Sequence, residues 1–183
     1  MKKKNLSQKV LIVLFFVNLI TYGAVFAQKN KYKELSKKTW TITASSFRPQ
    51  TPPSLLLDNN MATVWHTPTG ASASGYPHWF TIDMKESVKV SEVVLHKRPK
   101  IGNGFGDFEI WGSEDGEKFT QYGETYTLDQ GNDMDYQPQH FKIKETPTIR
   151  YIKIVPLKVA KTWSSQTANY TVLAEFGVIG AKK

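Results

Sequence analysis

Hydrophobic and polar residues alternate along most of this chain, in short runs that begin at Trp40. The alternation is clearest over residues 78–84, 107–113 and 149–155, and residues 88–95 are rich in β-branched valine. A period of two is typical of β-strands that bury one face. Polar stretches, most of them containing Gly, Pro, Asn or Asp, separate these segments, and no convincing long amphipathic helix lies between them.

Four further segments extend this pattern. We predict strands over residues 40–46, 119–126, 140–143 and 170–179, and a hairpin turn with Asp-Gly at its centre over Glu114–Glu117. About eight short strands joined by polar turns favour an all-β fold, either an antiparallel sandwich or a jelly roll.

The apolar block at the start of the chain has a different character. Val10–Ile20 is apolar except for Asn18, four lysines precede it, and Val25–Ala27 ends in the small residue that a signal peptidase reads. This pattern predicts a secretory signal peptide over residues 1–27. The alternative of a membrane anchor is disfavoured because the apolar run is too short to span a bilayer comfortably. A lipoprotein anchor is excluded because the chain contains no Cys.

We therefore expect a secreted protein, located in the medium, the periplasm or at the cell surface. Residues 28–38 contain five lysines and predict a solvated linker, and residues 39–181 form the predicted folded domain. Without cysteines, an exported domain needs a sizeable core or a bound metal ion in place of disulfides.

The formal net charge of +8 comes from the two ends of the chain. Residues 39–181 hold 13 basic and 15 acidic side chains, so the predicted domain is close to neutral. A nucleic-acid-binding domain would carry its positive charge on the folded body. The charge distribution therefore argues against a nucleic-acid partner.

The motifs of common enzymes are missing from the sequence. None of the four histidines belongs to a His-Glu-x-x-His pattern, and there is neither Gly-x-Ser-x-Gly nor a cysteine nucleophile. Asp133 and Asp135 are close carboxylates, but they lie in a polar acidic loop where solvation is the simpler interpretation. We expect no catalytic activity, and a small hydrolase with an unrecognised site is the weakest of the alternatives.

One short segment combines several oxygen ligands. Asp58, Asn60 and Thr63 lie within six residues, and Glu175 on the last strand offers a further carboxylate. Ca²⁺ takes six to eight oxygen ligands in irregular geometry, so these residues are candidates for an ion site. The alternative is a polar turn in which Asp58 and Asn60 bond to their own backbone.

Three blocks of this sequence together resemble the discoidin domain, that is, the coagulation factor V/VIII type C domain. The blocks are Trp40–Ser46 with Leu57–Trp65, His78–Met84 with Val90–Leu95 and Phe108–Gly116, and Arg150–Ile154 with Ala174–Gly180. The resemblance implies an eight-stranded antiparallel jelly-roll β-sandwich of the galactose-binding-domain-like type, with binding loops at one end. It also implies a structural Ca²⁺ ion held by Asp58, Asn60, Thr63 and Glu175 and by the carbonyls of Leu55 and Ala174. Asn59 stands where the family usually has Gly, and Asn tolerates the positive φ that such a turn needs.

Within this family, the chain is most similar to the galactose-binding family 32 carbohydrate-binding modules. Carried over by position, their polar trio is His66, Arg98 and Asn103, and Trp163 is the candidate for the aromatic residue that stacks on the sugar. Each of the three polar residues has a simpler interpretation: His66 could cap a strand, Arg98 could pair with a surface acid, and Asn103 could form a turn. Such a set suits galactose or N-acetylgalactosamine, since an aromatic ring can stack on the C–H face that the axial O4 leaves free. We expect His66 and Arg98 to donate hydrogen bonds to that axial hydroxyl.

We therefore expect a secreted, non-catalytic carbohydrate-binding module for glycans of the galactose or N-acetylgalactosamine type. Its partner besides the glycan would be a separate glycoside hydrolase or a surface protein. The alternative is a discoidin-type adhesion domain for membranes or proteins, which needs exposed apolar loop tips. Only Phe105 and Trp163 are apolar in the predicted tips, so we do not expect a membrane partner.

Overall fold

The computed structural model describes residues 31–98, 104–129, 137–160 and 169–182. The chain divides into two compact units, Met1–Lys33 and Glu34–Lys183, and the fold described below is that of the second. Its regular elements within the described residues are β1 (Lys33–Glu34, of which Glu34 belongs to this unit), β2 (Thr41–Ala44), β3 (Trp65–His66), β4 (Phe80–His96), β5 (Asp107–Ser113), β6 (Thr120–Gln121), β7 (Tyr126–Thr127), β8 (Gln139–Lys142), β9 (Thr148–Pro156), β10 (Val172–Leu173), β11 (Glu175–Lys182) and the 3₁₀ turns Pro53–Leu57 and Gly70–Ser72. No helix in these segments is long and apolar enough to cross a membrane.

The 17-residue strand β4 is the centre of the fold. It pairs antiparallel with β2 and β9 from Phe80 onward and with β8 and β11 toward His96. The sheet continues from β9 to β5 and β6, while β3 and β10 pair separately. The predicted all-β antiparallel fold of the jelly-roll type is confirmed.

The core lies between the inner faces of these strands and is rich in aromatic rings. Phe80 contacts both Trp65 and Phe176 edge to face, with ring centroids 5.3 and 5.8 Å apart. All three rings are fully buried. Aromatic pairs of this geometry contribute about 0.5–1.5 kcal/mol each beyond their buried area. Because Trp65 directly precedes His66, this core fixes the position of the predicted sugar site.

Two of the predicted strands form one element. The sequence predicts separate strands over residues 78–84 and 88–95, yet β4 runs through both. Lys85 has φ of 68°, and the register between β4 and β9 shifts between Asp83 and Val88. The polar residues between the two runs thus form an irregularity inside one strand, where the sequence predicts two separate strands.

The prediction of a solvated linker is wrong for Leu35 and Lys37. Leu35 and Lys37 are both buried, at 6% and 8% exposure. The backbone N–H of Leu35 donates to Val178 O at 2.9 Å, which joins this segment to β11. In an extended chain, residues two positions apart point to the same side, so Leu35 and Lys37 face the domain together. The start of the folded domain therefore lies before residue 39.

Candidate functional site

The short strand β3 positions His66. Its partner is β10, with His66 opposite Val172 and Trp65 opposite Leu173. The indole N–H of Trp65 donates to Ser46 O at 3.1 Å, and the backbone N–H of Arg48 donates to His66 O at 3.0 Å. His66 is thus fixed through its backbone on two sides.

The hydrogen bond of the His66 ring determines what its free nitrogen can do. Nδ1 lies 2.5 Å from Thr67 O, and a carbonyl can only accept, so Nδ1 carries the hydrogen. Burial lowers the pKa of His66, and the charges of Arg48 and Arg98 lower it further, although the bond to Thr67 acts in the opposite direction. The imidazole is therefore neutral near pH 7, and its Nε2 is a hydrogen-bond acceptor.

Arg98 follows the end of β4 and is half-buried. Its charge acts on His66 and on Tyr170, which places the three side chains in one neighbourhood. Arg98 forms no ion pair with another described residue, so the alternative prediction that it pairs with a surface acid gains no support. Arg98 therefore acts electrostatically on His66, and the shared role of the two residues in sugar binding stays a prediction.

Tyr170 is a member of this neighbourhood that the sequence did not indicate. Its ring stacks on the imidazole of His66, with centroids 5.2 Å apart and an interplanar angle of 17°. The hydroxyl of Tyr76 donates to the backbone carbonyl of Tyr170 at 2.9 Å, and His78 Nε2 donates to Asn169 O at the same distance. These bonds hold the segment before β10 against the ring of His66. Tyr170 lies two residues before Val172, which pairs with His66, but a single sequence does not show this pairing.

The other two predicted sugar contacts, Asn103 and Trp163, lie outside the described residues. Phe105 is not the exposed apolar loop tip that the sequence predicts. It is fully buried and packs edge to face on Phe108, with ring centroids 5.5 Å apart. Phe47, which is 47% exposed, is the exposed large hydrophobic residue of the described segments. It directly precedes Arg48, whose N–H bonds to the carbonyl of His66.

The predicted ion loop, residues 58–63, forms a compact turn after the 3₁₀ turn Pro53–Leu57. Asp58 Oδ1 accepts the N–H of Asn60 at 2.8 Å, and Asp58 Oδ2 accepts the hydroxyl of Thr63 at 2.8 Å. Asn60 Oδ1 accepts the N–H of Ala62 at 3.0 Å. These are the bonds of the polar-turn alternative, and they leave further lone pairs on the carboxylate of Asp58. Asn59 has φ of 60°, as expected for a residue in the position of a Gly.

Glu175, the predicted ligand on the last strand, is buried at 4% exposure. Its Oε1 lies 3.0 Å from Nζ of Lys37, whereas its Oε2 is buried with no hydrogen-bond partner in the described parts of the chain. Burial raises the pKa of Glu175, Lys37 lowers it, and the charge of Asp58 raises it again. Asp58 therefore acts electrostatically on Glu175, and Glu175 Oε2 lacks a donor among the described residues.

The donor set can be tested for a fit to a cation. No group of three or more His, Cys, Asp or Glu side chains suited to a metal lies within residues 31–98, 104–129, 137–160 and 169–182. A cation here would rely on Asp58, Glu175 and neutral oxygens, which is a composition that suits Ca²⁺. The unpartnered Oε2 of Glu175 is the observation that fits such an ion.

Most of this chain matches the model of one known domain family. The profile of the F5/8 type C domain matches residues 41–176. This chain belongs to the F5/8 type C domain family. The match includes His66, Arg98 and the ion loop, and it ends just after Glu175. None of the curated proteins matches this F5/8 type C domain in sequence.

Solved structures resemble this F5/8 type C domain over most of its length. One is the family 32 carbohydrate-binding module of Clostridium perfringens NanJ in complex with galactose, at 20% identity and TM-score 0.66, covering 81% of this chain and 98% of that one. Another, CpGH89CBM32-5 from Clostridium perfringens in complex with GalNAc-β-1,3-galactose, has 18% identity and TM-score 0.67, with coverages of 80% and 99%. The C-terminal domain of a Bacteroides fragilis chitobiase has 22% identity and TM-score 0.69, with coverages of 81% and 98%. At these identities the likeness shows the fold.

Proposed function

We propose that this F5/8 type C domain is a non-catalytic carbohydrate-binding module whose sugar site is built around His66 and Arg98. The observation that carries the proposal is the arrangement of His66: its Nδ1–H is used on Thr67 O, so Nε2 is an acceptor near the cationic Arg98. A sugar hydroxyl is one donor and two acceptors, and an acceptor beside a set of N–H donors satisfies both roles. Similar modules bound to galactose and GalNAc-β-1,3-galactose support this choice of ligand.

The role of His66 differs from the sequence-based expectation in one respect. We expected His66 to donate to the axial hydroxyl, but its donor is used within the protein. In the proposed complex, the axial O4 of galactose or N-acetylgalactosamine donates to Nε2 and accepts from the guanidinium of Arg98. Asn103 would bond a neighbouring hydroxyl, and Trp163 would stack on the C–H face of the sugar. Tyr170 would hold the imidazole in place through its stacked ring.

A shallow site of this kind binds monosaccharides weakly. One stacking face and three polar groups correspond to a dissociation constant of roughly 0.1–1 mM, or about −4 to −5.5 kcal/mol. Glucose carries O4 equatorially and would leave the groups at His66 and Arg98 unpaired, at a cost of about 1–3 kcal/mol. We therefore infer a preference for the galactose configuration.

We further propose that the domain is secreted after removal of residues 1–27 and carries a structural Ca²⁺ ion. The ligands would be Asp58, Asn60, Thr63 and Glu175 with the carbonyls of Leu55 and Ala174. The ion would join the loop before β3 to the start of β11. β11 follows β10, the short strand that pairs with β3 and His66. Its chemistry is charge neutralisation and cross-linking, with no part in a reaction.

The alternative of an adhesion domain for membranes or proteins has one observation in its favour, the exposed ring of Phe47 beside Arg48. A single exposed apolar ring is a small area for insertion in a bilayer, whereas one ring is what stacking on a sugar needs. We therefore favour the carbohydrate ligand.

A paired binding experiment separates the two functions. We expect the mature domain to bind galactose- and N-acetylgalactosamine-terminated glycans on an array and to leave vesicles containing anionic lipid unbound. Arg98→Ala should lose most of the glycan signal because it removes the donors to the axial hydroxyl. Lys144→Ala, which removes an exposed charge elsewhere, should keep it. Vesicle binding without glycan binding would overturn the carbohydrate function and favour adhesion.

A further inference from the structure

Lys37 is a buried cation at the predicted ion site. Its side chain is 5% exposed, and its ammonium lies 3.0 Å from Glu175 Oε1 and donates to Phe176 O at 2.9 Å. A buried ammonium without a counter-charge is strongly unfavourable, so this lysine is held in place by the carboxylate. Composition alone had assigned Lys37 to a solvated linker.

The backbone around Lys37 is also attached to the domain. Leu35 on one side is buried in the core and bonds to Val178 O, and Trp40 on the other side donates its N–H to Lys37 O at 3.0 Å. Trp40 packs on Phe176 with ring centroids 6.4 Å apart. The fold therefore holds the ammonium in one position, unlike the ammonium of an exposed lysine.

Lys37 occupies only one side of the Glu175 carboxylate. Oε2 has no partner in the described segments, and Glu175 and Lys37 line a cavity of about 280 Å³ together with Asn59 and Met61 of the ion loop. The cavity leaves space for a second cation with its water. The charge of Asp58, on the same loop, acts on Glu175.

We propose that Lys37 is a built-in cation of the ion loop, which shares the carboxylate of Glu175 with a divalent ion. The inference rests on the Ca²⁺ site of the proposed function. With Asp58 and Glu175 negative and Lys37 positive, the site carries one net negative charge where two carboxylates alone would carry two. The domain then folds without the ion, and it binds Ca²⁺ weakly and reversibly. The carboxylate of Glu175 then holds both the segment from Glu34 to Lys38, through Lys37, and the ion.

Charge variants of Lys37 test this arrangement. We expect Lys37→Met to have a lower melting temperature than the wild type in excess chelator, because Glu175 loses its counter-charge. The same variant should bind Ca²⁺ at least about tenfold more tightly by calorimetry, since it removes a positive charge from the carboxylate that would hold the ion. Saturating Ca²⁺ should then restore its melting temperature, because a ligand that binds only the folded state stabilises it.

Three other variants provide the controls. Lys38→Met removes the exposed neighbouring charge and should change neither value. Lys37→Gln keeps a neutral donor and should also tighten Ca²⁺ binding, and it replaces the methionine variant if that fails to fold. Asp58→Ala should lose Ca²⁺ binding while keeping the Lys37–Glu175 pair.

The outcomes distinguish the two proposals. If the wild type and both neutral variants of Lys37 bind Ca²⁺ equally, and Asp58→Ala does not, the role of Lys37 is wrong while the ion site stands. If no variant binds Ca²⁺ at millimolar concentration, the ion site and its sharing are both wrong, and sugar binding remains a separate question. If Lys37→Met in excess chelator melts at the same temperature as the wild type, the role of Lys37 is also overturned.

Discussion

At the scale of single residues, the role of His66 depends on a bond to its own neighbour. Because Nδ1 donates to Thr67 O, only Nε2 is left for a ligand, and it accepts. The sequence identifies the residue and its place after Trp65, but it does not show which nitrogen is engaged. That detail changes the predicted hydrogen bonds to the sugar without changing the residue concerned.

The protonation of His66 gives a pH dependence of sugar binding. Burial lowers the pKa of His66 from its ordinary value of 6.5, so the ring stays neutral as the pH falls from 8 to about 7. Galactose affinity should therefore be constant over that range and should decrease at lower pH, where Nε2 gains a proton and can no longer accept. Binding curves at several pH values, with NMR titration of the His66 ring, provide the test. His66→Ala should lack the low-pH decrease, and an affinity that rises on acidification would contradict the assignment.

At the scale of elements, β4 decides how the sheet is assembled. The strand pairs with four others, and its irregularity at Lys85 is held by Asp83. Arg150 on β9 donates to both carboxylate oxygens of Asp83, at 2.8 and 2.9 Å, and Lys85 N donates at 2.8 Å. The two longest strands of the described residues are thus joined by a bidentate ion pair where their register shifts.

This ion pair should make the stability of the domain depend on pH. The hydrogen bonds from Arg150 hold the pKa of Asp83 well below its ordinary value of 3.8. A carboxyl whose pKa is lower in the folded state contributes stability above its ordinary pKa and loses that contribution as the pH falls below it. Asp83→Asn should therefore lower the free energy of unfolding by about 1 kcal/mol at pH 7, a modest value because Arg150 is partly exposed.

The difference between the Asp83→Asn variant and the wild type should shrink between pH 4 and pH 2 in thermal or urea unfolding. Glu117→Gln changes an exposed carboxyl that has no ion pair in the described segments, so it is the matched control. A destabilisation by Asp83→Asn that is equal at pH 7 and pH 2 would show that packing, and not the charge, is the cause.

The N-terminal segment shows why composition can mislead at this scale. Five lysines within residues 28–38 indicate solvation, but the alternation of Leu35 and Lys37 places two of its side chains on one face. Periodicity over so short a segment is a weak signal, and the acceptors that hold Lys37 lie 138 and 139 residues further along the chain. The buried lysine could not be predicted because its partners come from a distant strand.

At the scale of the whole molecule, the strand pattern was enough to predict the all-β antiparallel class, because each strand carries its own period. The strand partners were not predictable, since pairing depends on contacts that are remote in sequence. Tyr170 reaches His66 only because β10 pairs with β3. The family resemblance supplied His66 and Arg98, whereas Tyr170 and Lys37 required the structure.

The central claim is that His66 and Arg98 recognise the axial hydroxyl of galactose, and the direct measurement compares the two epimers. Calorimetry or ligand-observed NMR should give the wild type at least about a tenfold preference for galactose over glucose, the equivalent of about 1.4 kcal/mol. His66→Ala should lose most of that preference, and Trp163→Ala should weaken both sugars alike by removing the stacking ring. His140→Ala, which changes an exposed histidine on β8, should behave as the wild type.

Equal binding of galactose and glucose to the wild type would contradict the account, and so would the absence of binding to either sugar in tens of millimolar. A preference for galactose that survives in His66→Ala would likewise show that the axial hydroxyl is recognised elsewhere.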